Sequence, residues 1–256
     1  MSTCPRTTAV PEAAEIKTIM RDERWNARHA KAYNRYRLLS SKGGWARLLA
    51  RELAGLPAGT EVLEVGSGTG FISEILAGSG FNVWGMDLSP DMLAVARSNL
   101  EAAGLAGRAR FTVGDAEALD APDGQARAVV SRWVLWTLPR PRLALQEMVR
   151  VLAPGGKLVL IDGQHLPMGR LARIRAALVD MVVAGRLPGW RRPCYTRLTP
   201  GLPRLDAPAV VDILREAGLA GVSYRRLTAE ESDGAVKSWL MGSGWQSYLV
   251  TGVKPQ

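Results

Sequence analysis

The sequence predicts an α/β fold in which helices cover both faces of a mostly parallel sheet. Three observations carry that prediction. An apolar run of strand type, Val62-Leu63-Glu64-Val65, leads into Gly66-Ser67-Gly68-Thr69-Gly70 and then into a helical pattern. Strand-type runs then alternate with helical stretches of about 10–15 residues, the rhythm of right-handed parallel crossovers. Two more strand-type runs close the chain after the last helix and should pair as an antiparallel edge.

Residues 1–14, with Thr3, Pro5, Thr7, Thr8 and Pro11, read as a frayed leader. A helical stretch over about residues 12–39 follows, rich in charge and aromatics around Trp25, Tyr33 and Asn34. It is either a surface helix packed on the domain or a lid over a ligand site. Trp45, Leu48, Leu49 and Leu53 recur at helical spacing, and Gly55 with Pro57 ends that helix. The first strand is 61–65, and Phe71, Ile72, Ile75 and Leu76 mark the buried face of the helix behind the glycine loop. After the second strand, 82–87, Ser89-Pro90-Asp91 supplies a capping hydroxyl and a proline at the first helical position. Met92, Leu93, Ala96 and Leu100 give that helix its buried face.

The third strand, 110–113, ends at Gly114-Asp115, and the fourth, 128–131, runs into Arg132-Trp133-Val134. A helix over about 140–152 stops at Pro154-Gly155-Gly156, which turns the chain into a fifth strand, 157–162. Residues 166–205 break the rhythm with a Pro/Arg-rich loop and an amphipathic helix that gathers Leu171, Ile174, Leu178 and Met181 on one side. A helix at 207–217 and strands at 222–227 and 247–253 finish the chain. The count is seven strands in a Rossmann-like sheet with an antiparallel C-terminal edge. We expect one domain: an N-terminal helical lid (1–44), a cofactor-binding core (45–165), an inserted helical cap (166–205) and a C-terminal helix with a strand pair (206–256).

Composition narrows the function. At 256 residues and 47% hydrophobic, the chain supports one such domain with a large core. No apolar run approaches the roughly 20 residues of a bilayer span, and the N-terminus lacks a signal-peptide layout. A soluble cytoplasmic protein with no membrane partner is expected. Cys4, Cys194 and two histidines argue against a disulfide framework and against a bound metal. The net charge is +9, and +7 of it lies in residues 166–205, where eight arginines face one acid, Asp180. Arginine favours planar, bidentate anions, so the cap either meets an anionic acceptor or is a solvated face. No lysine-rich run, aromatic-basic interleaving or internal repeat points to nucleic acid.

The glycine loop alone does not choose a nucleotide. Asp87, about 20 residues beyond it at the end of the second strand, can accept both hydroxyls of a ribose. The spacing G-x-G-x-G and the preceding Glu64 suit a cationic amino-acid tail or a sulfonium better than a pyrophosphate. Asp115 places a second carboxylate where an adenine amino group would lie. No G-K-[ST] follows the loop, which excludes a P-loop.

Residues 62–70, Gly85-Met86-Asp87-Leu88-Ser89-Pro90-Asp91-Met92-Leu93, Gly114-Asp115-Ala116-Glu117 and 150–158 resemble the successive motifs of class I S-adenosylmethionine-dependent methyltransferases. The nearest likeness is to the branch that includes the ubiquinone/menaquinone methyltransferases. The resemblance implies S-adenosyl-L-methionine as cofactor and direct SN2 transfer to a small-molecule acceptor. It implies backbone contacts from Gly66, Ser67, Gly68 and Gly70, ribose on Asp87, adenine between Leu88 and Met92, and its amino edge at Asp115 and Ala116. Arg132 becomes a partner for the cofactor carboxylate, Trp133 a packing surface, and Tyr33 a lid contact. His165, following the fifth strand, is the candidate general base; the alternative is a structural loop histidine. The segment after the fourth strand lacks the Asn-Pro-Pro-Tyr type motif of base-directed enzymes. An RNA methyltransferase, a non-methylating binding protein of the same fold and, further off, an NAD enzyme stand as alternatives.

Overall fold

The computed structural model of the chain describes residues 12–35, 40–165, 169–184, 202–231 and 245–256. Seven strands form one sheet in the order β3-β2-β1-β4-β5-β7-β6. They are β1 (Glu61–Val65), β2 (Asn82–Asp87), β3 (Ala109–Val113), β4 (Ala126–Arg132), β5 (Leu152–His165), β6 (Ala220–Arg226) and β7 (Trp245–Val253). The first five are mutually parallel; β7 runs antiparallel to β5 on one side and to β6 on the other. The order reverses between β1 and β4, and a crevice at the C-terminal strand ends of such a switch point is where doubly wound sheets bind ligands.

Strand parity builds two cores. Leu63, Val65, Val129, Leu158 and Leu160 pack on one face with α6 (Pro141–Val151) and α8 (Ala207–Glu216). Val62, Ala128, Val130, Val159 and Ile161 pack on the other with α3 (Lys42–Glu52) and α4 (Phe71–Gly78). The end of α5 (Pro90–Ala102) joins that second core through Leu100. The Ser89 hydroxyl caps α5 by accepting from Met92 N–H, and Asp206 caps α8 by accepting from Ala209 N–H.

Two expectations are corrected. The N-terminal helix is not continuous: α1 (Ala13–Ile19) passes into a π-helical turn, Met20–Arg24, and α2 (Ala27–Arg35) starts afresh. Asn26 makes the break, since its Oδ1 accepts the His29 N–H as a cap does while its amide donates back to the Asp22 carbonyl. The fifth strand begins earlier than 157, because Leu152 already pairs with Ala126 and residues 153–156 form an irregularity before Lys157 pairs with Ala128. The remaining helix, α7 (Arg170–Ala184), packs on α2.

Candidate active site

The loop after β1 owes its shape to backbone that only glycine takes easily. Gly66, Gly68 and Gly70 have φ of +74°, +54° and +76°. The N–H groups of Gly66 and Ser67 both donate to the Met86 carbonyl, at 2.7 and 3.0 Å, which clamps the loop onto β2. Asp87 completes the clamp: its Oδ2 accepts from Gly68 N–H at 2.8 Å and its Oδ1 from Ser89 N–H at 2.9 Å. Burial raises the pKa of Asp87, and backbone N–H groups of Ser89, Gly68 and Leu88 work against that rise. A carboxylate has about four acceptor sites, so acceptor capacity is left for a further donor.

These elements wall a cleft of about 800 Å³, measured out to its open mouth. Tyr33, Gly66, Gly68, Asp87, Leu88, Met92, Asp115, Ala116 and Arg132, all named from the sequence as cofactor contacts, line it. Glu64, Ser67 and Gly70 are not among the residues that line it, with a separate cause for each. Glu64 shares the strand face of Val62 and so points toward α4, where the Ser73 hydroxyl donates to it. Ser67 is buried, and its hydroxyl makes no hydrogen bond among the described residues. Gly70 is the N-cap of α4 and lies where a Cβ would sit 3.0 Å from Ala96 Cβ, so its role is close packing of α4 on α5.

Arg132 ends β4 on the same face as Glu64. Its guanidinium lies 4.1, 5.0 and 5.3 Å from the ring centroids of Trp133, Phe71 and Trp45. Its Nη1 is buried without a hydrogen-bond partner among the described residues. Burial pushes the Glu64 carboxyl up to about 8, with the Ser73 hydroxyl and Arg132 opposing the rise. Burial thus works against the charge of Glu64 beside Arg132, which borders the cleft. An unpaired buried guanidinium nitrogen beside a glycine loop fits an α-carboxylate. This donor set suits the cofactor that the sequence motifs imply.

The turn after β4 is held in an unusual conformation. Trp133 has φ of +60°, the one non-glycine residue with positive φ among the described residues. Its N–H donates to Ile161 O at 2.8 Å and its indole to Ser247 Oγ at 3.3 Å. Asp162, buried on β5, accepts the Leu135 N–H at 2.8 Å and the Gly163 N–H at 2.7 Å, and burial raises it to about 7. Trp133, Val134, Thr137 and Leu138 thereby reach the cleft.

The N-terminal helices cover the other side. The Trp25 carbonyl accepts from Ser89 Oγ at 2.6 Å, and Asn34 and Asn99 exchange side-chain hydrogen bonds at 2.9 and 3.2 Å. Trp25 meets Tyr33 edge-on at 5.8 Å and Trp136 at 6.4 Å. Lys17 of α1 pairs with Asp115 at 2.5 Å and with the buried Glu117 at 2.6 Å, and Arg140 also binds Glu117. Sequence reasoning missed Lys17, because its partner lies 98 residues away and nothing local announces it. Thr137, Leu138 and Pro139 were within reach of the strand-end rule, three to five residues past the segment it singled out.

His165 closes β5 opposite Trp245, and its side chain lies outside the described residues. Cys194, Tyr195, Arg191 and Arg192 also lie outside them. Among the described residues no group of His, Cys, Asp and Glu could hold a metal ion, and no helix is long and apolar enough to cross a membrane.

Residues 63–160 match the methyltransferase domain family. The ubiquinone/menaquinone biosynthesis C-methyltransferase UbiE of Methylobacterium nodulans is 35% identical over 175 residues, covering 65% of this chain and 68% of that protein. The demethylmenaquinone methyltransferase of Thermus thermophilus is 33% identical over 188 residues, covering 72% and 84%. Among solved structures, phosphoethanolamine N-methyltransferase 2 of Haemonchus contortus, bound to phosphomonomethylethanolamine and S-adenosylhomocysteine, superposes with a TM-score of 0.67 at 17% identity. That likeness spans 94% of this chain and 60% of the other, and is one of fold.

Proposed function

The chain belongs to the S-adenosylmethionine-dependent methyltransferases of the ubiquinone/menaquinone type, and from that premise we propose that it methylates a ring carbon of a small quinol-type acceptor. The observation that carries the reading is the cleft itself, where glycine loop, Asp87, Asp115 and Arg132 meet an aromatic wall of Trp25, Tyr33 and Trp133. S-adenosyl-L-methionine supplies a methyl group on a sulfonium, so transfer makes one carbon–carbon bond as a carbon–sulfur bond breaks.

We assign the residues as follows. Asp87 uses its remaining acceptor capacity on the ribose hydroxyls, and Leu88 and Met92 flank the adenine. Asp115 and Ala116 face the adenine's amino edge, and Arg132 Nη1 takes the carboxylate. Gly66 and Gly68 let backbone approach the ligand; Glu64, Ser67 and Gly70 shape the loop from behind. The aromatic wall suits a flat ring, which it holds by stacking and edge contacts. Holding that ring in line with the methyl group and shielding both from water supplies much of the rate. A quinol carbon that has gained a methyl group must shed its ring proton, and His165 at the end of β5 is the residue we assign to take it. Residues 166–205, including α7, act as the acceptor cap in this reading, within a single domain.

The test uses ¹³C-methyl S-adenosylmethionine with a reduced short-chain 1,4-naphthoquinol that lacks its ring methyl. The expected product carries the label on a ring carbon by NMR. Label on a quinol oxygen, or transfer to phosphoethanolamine and none to the quinol, overturns the reading.

A further inference from the structure

A lysine drawn into the wall of a cleft needs carboxylates to meet it, because its ammonium is costly to take out of water alone. Lys17 lines the cleft, and its side chain is only 14% exposed. It stands on α1, whose Ile16 and Met20 are buried with Leu202, so apolar packing holds the helix that carries it. Its Nζ bridges two carboxylates from the turn after β3, Asp115 Oδ2 at 2.5 Å and Glu117 Oε2 at 2.6 Å. Glu117 is buried and has a second cation, since Arg140 donates to it from its backbone N–H at 2.6 Å and from Nε at 3.0 Å. Asp115 is different: its side chain is 31% exposed and lines the cleft. Its Oδ1 accepts the Glu117 N–H at 2.9 Å, so with Lys17 on Oδ2 each oxygen has one donor within the fold. The last torsion of an aspartate is broad when left to itself, and a donor on each oxygen fixes it.

We propose that Lys17 is a positioning residue for purine selection: it fixes the Asp115 carboxylate so that the acceptor capacity left on it faces the 6-amino group of the cofactor's adenine. The inference rests on the assignment of Asp115 to that amino edge. A carboxylate accepts from about four directions, so two fixed donors leave room on it for the amino group. Held in one orientation, it separates a purine that carries the 6-amino donor from one that does not. The first makes a hydrogen bond to a charged acceptor, and the second leaves that acceptor desolvated and unmet. With Lys17 removed, Oδ2 has no donor from the fold, the carboxylate turns toward water, and the contrast shrinks. Two carboxylates against two cations, Lys17 and Arg140, also leave the cluster near neutral, which suits an uncharged base.

The experiment is calorimetric binding of two ligands to the full chain, S-adenosylhomocysteine and its 6-deamino analogue, which carries purine in place of adenine. Wild type is expected to prefer the adenine ligand by about tenfold to a hundredfold, the worth of a hydrogen bond to a charged acceptor. Lys17→Met is expected to bring that ratio down to about threefold or less. The double variant Lys17→Met/Glu117→Gln removes the buried charge that the single variant strands, so it regains stability and is expected to keep the low ratio. A Lys17 that only holds the fold together gives other results, and each overturns the proposal: both ligands weakened alike in Lys17→Met, or a ratio that returns with stability in the double variant. A ratio that rises in Lys17→Met overturns it too, since Lys17 would then be competing with the amino group. Asp115→Ala separates this inference from its premise. A ratio that falls in Asp115→Ala and holds in Lys17→Met removes the role of Lys17 alone. A ratio that holds in both variants, or a wild type without preference, removes the assignment of Asp115 as well.

Discussion

Three glycines with left-handed backbone separate strain from packing and packing from ligand contact. Gly155 has φ of +72° and a Cβ there would meet nothing within 4 Å. Alanine at Gly155 therefore costs only the conformational penalty, about 1–2 kcal/mol. Gly66 has φ of +74°, but its Cβ would stand 2.1 Å from Cγ2 of the buried, β-branched Val134. Forcing that contact adds about 1–3 kcal/mol of overpacking, so Gly66→Ala should lose about 2–5 kcal/mol. At Gly68, with φ of +54°, the nearest atom to a Cβ is the flexible Met92 Cε at 3.4 Å, an ordinary contact. Gly68→Ala should thus be about as stable as Gly155→Ala, yet its methyl group narrows a residue of the cleft wall. Urea unfolding and calorimetric binding of S-adenosylhomocysteine read both quantities. Gly155→Ala should keep wild-type affinity, and Gly68→Ala should lose at least about tenfold. A Gly66→Ala protein no less stable than Gly155→Ala, or a Gly68→Ala protein that binds as wild type does, refutes the reasoning.

Arg132→Met should weaken S-adenosylhomocysteine binding about tenfold to a hundredfold, the worth of a charged hydrogen bond, and leave methylthioadenosine, which lacks the carboxylate, within about twofold. Equal losses for the two ligands would remove the carboxylate from Arg132. Burial holds Glu64 up to about 8 and Asp162 up to about 7, whereas unfolded carboxylates titrate near about 4. A raised carboxylate pKa means the folded chain keeps its proton longer, so this stability is complete below about pH 4 and drains away as pH climbs toward 8. The urea midpoint should fall between about pH 5 and pH 8.5, and less steeply in Glu64→Gln; a flat wild-type profile contradicts the assignment. Lys17→Met leaves the buried Glu117 with Arg140 alone and should cost about 1–3 kcal/mol, part of which Glu117→Gln restores in the double variant. Strictly additive losses would show that the pair is not coupled.

The sheet and its ligand end were legible because their signals are local. Ser89-Pro90 fixes the start of α5 by capping chemistry, and Asp87 sits at a strand end whatever packs around it. Strand parity also held information that spacing alone concealed: Glu64 and Arg132 lie on the α3–α4 face with Val62 and Val130, so Glu64 turns beneath the loop and not into the cleft. What stayed hidden was set by partners distant in sequence. Gly70 looks like its two neighbours in the loop, and only the approach of Ala96 on α5 shows that it serves packing. The break between α1 and α2 turns on the Asn26 side chain choosing backbone groups on both sides, a choice that helical periodicity does not register. Lys17 needs Asp115 to be noticed at all. Outward placement of the α7 stripe is likewise invisible in a sequence that shows amphipathicity without showing which way it faces.

The most direct test of the site is a crystal structure with S-adenosylhomocysteine. The account predicts the ligand carboxylate within hydrogen-bond distance of Arg132 Nη1, the ribose hydroxyls on Asp87 and the adenine amino edge at Asp115. A ligand lying the other way round, or one that leaves Arg132 Nη1 without a partner, contradicts it.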